Sequence, residues 1–157
     1  MNRPPGSHGL EYKAHEGQKD KEDLLYILHP VGVMSGVESL EAKVVAVLHD
    51  VVEDTSVTLD DLRVAGFGEA ILAAVSLVTH RKDESYAEYV IGCKGNEIAR
   101  RVKLADLEDN TRLSRTILRP DRVQHDMARV RRYILSYKFL TDQISEEQYR
   151  SLMEEDR

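Results

Sequence analysis

The chain has one cysteine, Cys93, in 157 residues, so no disulfide within it is possible, and a reducing compartment is expected. It has no apolar run long enough to span a bilayer, and the opening Met1-Asn2-Arg3-Pro4-Pro5-Gly6-Ser7 lacks the apolar core of a secretory signal. It also lacks an excess of positive charge. The formal net charge of −6 argues against a general nucleic-acid or membrane-surface binder, so an acidic ligand would need a local basic pocket. No period-2 strand pattern, internal repeat or low-complexity segment stands out. What is present is 41% hydrophobic residues, enough for one ordinary core, and a single domain over 1–157 is expected. Its core would span about 7–140, with a last helix at about 145–155.

The most informative stretch is His49-Asp50-Val51-Val52-Glu53-Asp54, which ends the apolar segment Leu40 to Leu48. The apolar density and length of that segment predict a buried helix. If the helix runs through Asp54, His49 stacks one turn from Glu53 and Asp50 one turn from Asp54. Three carboxylates crowded at the end of a core helix repel one another unless a cation is present, so a divalent metal is the economical explanation. The plainer alternative is a solvated or capping arrangement of charged residues at a helix end.

Elsewhere the pattern predicts further helices: Ser7 to Gln18, and a stretch from Tyr26 to Met34 with His29-Pro30 at its mouth. One starts at Thr58 and ends at Gly66, one covers much of Phe67 to Val78, and His80-Arg81-Lys82 is expected as its basic last turn. A short helix from Ser85 to Ile91 should stop before turns at Gly92 and Gly95. Glu97 to Leu113 places Ile98, Val102, Ala105 and Leu113 on an apolar face and Lys103, Asp106 and Asn110 on a shared stripe. Apolar neighbours around Asp106 suggest a carboxylate that needs a partner. Asp121 and Gln124 have capping-box spacing, as do Ser145 and Gln148. The helix expected to start within Pro120-Asp121-Arg122-Val123-Gln124 and run to about Leu140 carries Arg122, Arg129, Arg131, Arg132 and Lys138, which serve either as a solvated face or as a phosphate-facing one. Cys93 is expected as a small core residue.

The ordered motifs Ala14-His15-Glu16-Gly17-Gln18, Tyr26-Ile27-Leu28-His29-Pro30, Leu48-His49-Asp50-Val51-Val52-Glu53-Asp54-Thr55 and Val102-Lys103-Leu104-Ala105-Asp106, followed by Asn110 and Leu113-Ser114-Arg115, resemble the HD-domain metal-dependent phosphohydrolases. More narrowly, they are similar to the hydrolase domain of RelA/SpoT-type stringent-response enzymes and their small stand-alone relatives. The resemblance covers about Tyr12 to Leu140 and implies a compact all-α, multi-helix HD-domain bundle.

By that resemblance, His29, His49, Asp50 and Asp106 are metal ligands, with Mn²⁺ the usual ion. Glu53 and Asp54 orient and activate the attacking water, while Lys21, Lys103 and Asn110 line a nucleotide pocket. The implied activity is hydrolysis of guanosine 3′,5′-bis(diphosphate) to GDP and pyrophosphate, in the cytoplasm, without nucleic-acid or membrane partners. The alternatives are another nucleotide or phosphomonoester as substrate, or a non-catalytic nucleotide-binding module. Three departures bear on substrate. Asp20-Lys21 stands where long enzymes of the family carry Arg-Lys; Asp23 and Leu25 replace Gly and Pro; and Asp109 precedes Asn110 where a His is common.

Overall fold

The computed structural model describes residues 28–113 and 119–154, except for the side chains of Leu28 and Asp54. The expected Ser7–Gln18 helix, Asp20 and Lys21 lie outside the described residues. Within them the chain is helical throughout its regular structure, in the order α1 (Leu28–Ser35), α2 (Leu40–Leu48), α3 (Val51–Asp54), α4 (Leu59–Val64), α5 (Glu69–Val78), α6 (Tyr86–Lys94), α7 (Glu97–Asn110), α8 (Val123–Leu140) and α9 (Glu146–Glu154). No strand occurs among the described residues.

Helix starts follow local side-chain chemistry. Ser39, Ser85 and Asn96 each accept an N–H from the first turn of α2, α6 and α7. Thr58 and Asp61 form a reciprocal capping box on α4, and Ser145 and Gln148 form one on α9. Gly66 leaves α4 at φ 94°, a left-handed conformation that a residue with a Cβ rarely adopts. Pro30 sits in the first turn of α1, where its missing N–H costs no helical bond.

The centre of the molecule is α7, which packs against α1, α2, α5, α6 and α8. Its buried face combines Ala99, Val102, Ala105 and Leu107 with Lys103, Asp106 and Asp109. Helix α2 contributes Ala42, Val45, Ala46, Val47 and Leu48 to the same core. Helix α5 adds Leu72, Val75 and Val78. At the far end Tyr149 of α9 stacks on Phe139 of α8 at 4.7 Å, and its hydroxyl meets Ser136 Oγ at 2.9 Å. Cys93 is buried with its thiol donating to the Leu77 carbonyl, a core residue as expected.

Five local expectations are corrected. The helix from Leu40 does not run unbroken to Asp54: it stops at Leu48, and His49 and Asp50 form a right-handed turn before α3. The physical reason is visible at Ala46, whose carbonyl is engaged by His49 Nδ1 at 2.6 Å. In a continuous helix that carbonyl serves the N–H four residues on. Gly92 lies inside α6 rather than at a turn, with the helix continuing to Lys94. Leu113 falls beyond α7 and is 93% exposed, so the apolar face ends earlier. His80-Arg81-Lys82 lies past the end of α5, because Thr79 already has extended backbone. Asp121 and Gln124 do not cap α8; Asp126 instead receives the Arg119 backbone N–H and guanidinium at 2.6–3.0 Å.

Candidate metal centre

Three helical segments bring the expected ligands together. His29 comes from α1, His49 and Asp50 from the turn between α2 and α3, and Asp106 from the buried face of α7. His29, His49 and Asp106 are buried, and Asp50 is half-buried. Ligand atoms of His29, His49 and Asp50 all lie within 4.8 Å of one another. His49 Nε2 is 3.2 Å from Asp50 Oδ2, and His29 Nε2 is 3.1 Å from Asp106 Oδ1. The crossed pairs, His29 with Asp50 and His49 with Asp106, are each 3.9 Å apart. Ligands bonded to one ion at about 2.0–2.2 Å stand roughly 3 Å apart, so this spacing suits a shared divalent cation.

The orientation of the two rings makes the fit stronger. His49 Nδ1 faces the Ala46 carbonyl, which only accepts, so Nδ1 carries a hydrogen and Nε2 is the ring nitrogen turned inward. That Nε2 is buried and makes no hydrogen bond, although the Asp50 carboxylate is close. His29 Nδ1 meets Asp109 Oδ2 at 2.7 Å, which leaves its Nε2 turned towards Asp106. Two imidazole Nε2 atoms facing two carboxylates are a mixed nitrogen and oxygen donor set of the kind that holds a divalent cation. The same field acts on a proton. Burial alone would lower the pKa of His29, but hydrogen bonds to Asp106 and Asp109 and the negative charges of Asp106 and Asp50 push it up to about 10.

Asp106 is held from several sides. Lys103 Nζ donates to Oδ2 at 2.7 Å and Asn110 Nδ2 to Oδ1 at 2.6 Å. Burial would raise its pKa, but Lys103 and His29 hold it well below the usual carboxylate range. Lys103 is itself buried, 4.7 Å from the ring centre of Tyr89 and 5.4 Å from that of Tyr86. Asp106 and the two tyrosines keep its ammonium charged against desolvation. Lys103 and Asn110, two of the three residues expected by resemblance to line a nucleotide pocket, therefore have their nitrogens on Asp106.

Glu53 is exposed, and its Oε2 accepts the backbone N–H of His80 at 3.0 Å. The Asp54 side chain and Lys21 lie outside what the structure describes. The basic residues of α8 are largely engaged within the fold: Arg129 lies 4.0 Å from Asp126, Arg131 donates to the Leu152 carbonyl, and the Arg132 guanidinium lies over Tyr86. Sequence reasoning missed Asp109 as a partner of His29. The signal was available, because Asp106 and Asp109 are three residues apart and share a helix face.

The described residues form an all-helical bundle of the HD-domain type. It superposes on a solved metazoan ortholog of SpoT, described as hydrolyzing ppGpp, with a TM-score of 0.64 and 20% identity, covering 99% of this chain and 96% of that one. No family model matches the sequence. Among characterised proteins, it is 34% identical to the guanosine-3′,5′-bis(diphosphate) 3′-pyrophosphohydrolase of Vibrio cholerae over 74% of this chain and 18% of that protein. It is 33% identical to the zebrafish (Danio rerio) pyrophosphohydrolase MESH1 over 65% of this chain and 62% of that protein. The mouse MESH1 is 35% identical over 46% of this chain and 45% of its own length. The chain thus spans under a fifth of the long bacterial relative and less than two thirds of the short ones. In sequence and in fold the chain is similar to the HD-type hydrolase domains of the RelA/SpoT family.

Proposed function

We propose that this chain is a Mn²⁺-dependent phosphohydrolase that removes pyrophosphate from the 3′ position of guanosine 3′,5′-bis(diphosphate), leaving GDP. The observation that carries the reading is the inward pair of imidazole Nε2 atoms, each about 3 Å from a carboxylate oxygen, on the family's motif residues. The names of the relatives supply the substrate class. His29, His49, Asp50 and Asp106 would hold the ion. A mixed nitrogen and oxygen donor set suits Mn²⁺ among borderline divalent ions. When bound, such an ion supplies Lewis acidity, lowering the pKa of a coordinated water and offsetting phosphate charge.

The chain's own residues then divide the remaining work. Lys103 and Asn110 fix the Asp106 carboxylate, so it needs no reorganisation during the reaction. Glu53, anchored on the His80 N–H, and Asp54 are the bases that take the proton as water adds to the phosphorus beside the ribose. The bond from phosphorus to O3′ breaks, and O3′ leaves as an alcohol once protonated. Lys21 is assigned to the substrate phosphates on its motif alone. We further propose a single domain acting in the reducing cytoplasm; no described helix is long and apolar enough to cross a membrane.

The test is purified protein loaded with Mn²⁺ and given guanosine 3′,5′-bis(diphosphate). Equimolar GDP and pyrophosphate are expected, with no turnover after chelation. Release of neither phosphate nor pyrophosphate from this compound or from a broad nucleotide panel would overturn the proposal. Turnover of another nucleotide alone would shift attention to the Asp20 loop, and Asp20→Arg should then gain activity on the guanosine compound.

A further inference from the structure

We propose that Asp109 is a positioning residue for the metal ligand His29, and that Gly32 is the residue that makes room for it. This rests on the metal-site reading above and adds to it a function for two residues outside the ligand set.

The geometry is a grip on both nitrogens of one ring by one helix. Asp106 faces His29 Nε2 at 3.1 Å, and Asp109, three residues further along α7, takes the Nδ1–H at 2.7 Å. With Nδ1–H committed to a carboxylate, the ring is held against rotation and Nε2 is left as the donor atom towards the ion. Asp109 is only 3% exposed, and Arg112, with an exposed side chain, sits 3.5 Å from its Oδ1. A carboxylate so placed is costly to bury unless it does something for the buried ring it contacts. It makes the imidazole a better electron donor to a cation.

Gly32 lies three residues after His29 on α1, on the side that meets α7. A Cβ there would fall 2.6 Å from Asp109 Oδ1 and 3.1 Å from its Cγ. The clash is with the end of a side chain, so the carboxylate would swing aside rather than the helices part. Its displacement would break the bond to His29. Substitution of Gly32 should therefore harm metal binding more than it harms the fold.

The test is Mn²⁺ affinity by calorimetry on wild type, Asp109→Asn, Asp109→Ala, Gly32→Ala and the Gly32→Ala/Asp109→Ala double variant, with thermal midpoints of the metal-free proteins alongside. Removing such a partner typically weakens metal binding about 10–100-fold. Asp109→Ala and Gly32→Ala should each fall in that range, and the near-isosteric Asp109→Asn should retain the fold with an intermediate loss. In the double variant Gly32→Ala should add less than about twofold, because the clash partner is gone. On the Zn²⁺-loaded protein, nitrogen NMR should show His29 protonated at Nδ1 in wild type and lose that signature in Asp109→Ala. Wild-type binding with Asp109→Ala and Asp109→Asn unchanged, or additive losses in the double variant, would overturn this inference alone. A wild type that binds no divalent ion would overturn the metal-site reading and this inference together.

Discussion

Lys103 Nζ and Asp106 Oδ2, one turn apart on α7 and both buried, are 2.7 Å from each other, with the rings of Tyr86 and Tyr89 around the ammonium. The pair fixes one oxygen of the carboxylate while the other faces the two imidazoles. A lysine in that position acts on the site without being open to solvent.

Removing one member of such a pair leaves a buried charge uncompensated, which typically costs about 3–5 kcal/mol. Lys103→Met should therefore destabilise the metal-free protein by that order in urea denaturation. Added Mn²⁺ should recover part of the loss, because the cation takes over the neutralisation of Asp106. A loss under about 1 kcal/mol would show that the pair does not form in solution.

Ligand and base should separate experimentally. Asp50→Ala should abolish both Mn²⁺ binding and turnover, since its carboxylate lies 3.2 Å from His49 Nε2. Glu53→Gln keeps an acceptor for the His80 N–H, so metal affinity should stay close to wild type. Its kcat should fall by roughly 10²–10⁴, the usual contribution of a general base. Equal losses of metal and rate in both variants would contradict the assignment.

Asp126 predicts a loss of stability confined to acid. Its carboxyl accepts the side chain and then the backbone N–H of Arg119, and these bonds hold its pKa below the usual range. A depressed folded pKa adds stability that is present above the unfolded value of about 3.9 and disappears as pH falls through the folded one. Urea midpoints of the wild type should drop more steeply below about pH 4 than those of Asp126→Asn. Parallel curves would count against the arrangement.

Cys93 should be silent in the native protein. Burial pushes its thiol up to about 12, and Sγ already donates to the Leu77 carbonyl. A thiol reagent at pH 8 should label the chain only after denaturant is added. Stoichiometric labelling of the folded protein would mean that α5 and α6 open readily.

Much of the site was legible because its chemistry is local. His49 and Asp50 are adjacent, Lys103, Asp106 and Asn110 share a helix face, and Pro30 marks where α1 begins. The capping residues Thr58 and Ser145 were equally readable, since a cap is a contact between neighbours in sequence. The errors came where a local signal competes with a distant one. Asp121 and Gln124 had the right spacing for a cap, but Arg119 reached Asp126 instead. Leu113 continued an apolar period past the point where the core ends.

The order of apolar and polar residues along the chain determined that it forms helices and where most of them start. Tertiary structure alone decided that Asp109 meets His29 across 80 residues and that Asp106 faces the rings of His29 and His49. The reason is that helix periodicity is set by contacts within a turn or two. The direction in which a buried charge points is set by whichever partner the packed neighbouring helices bring within about 3 Å.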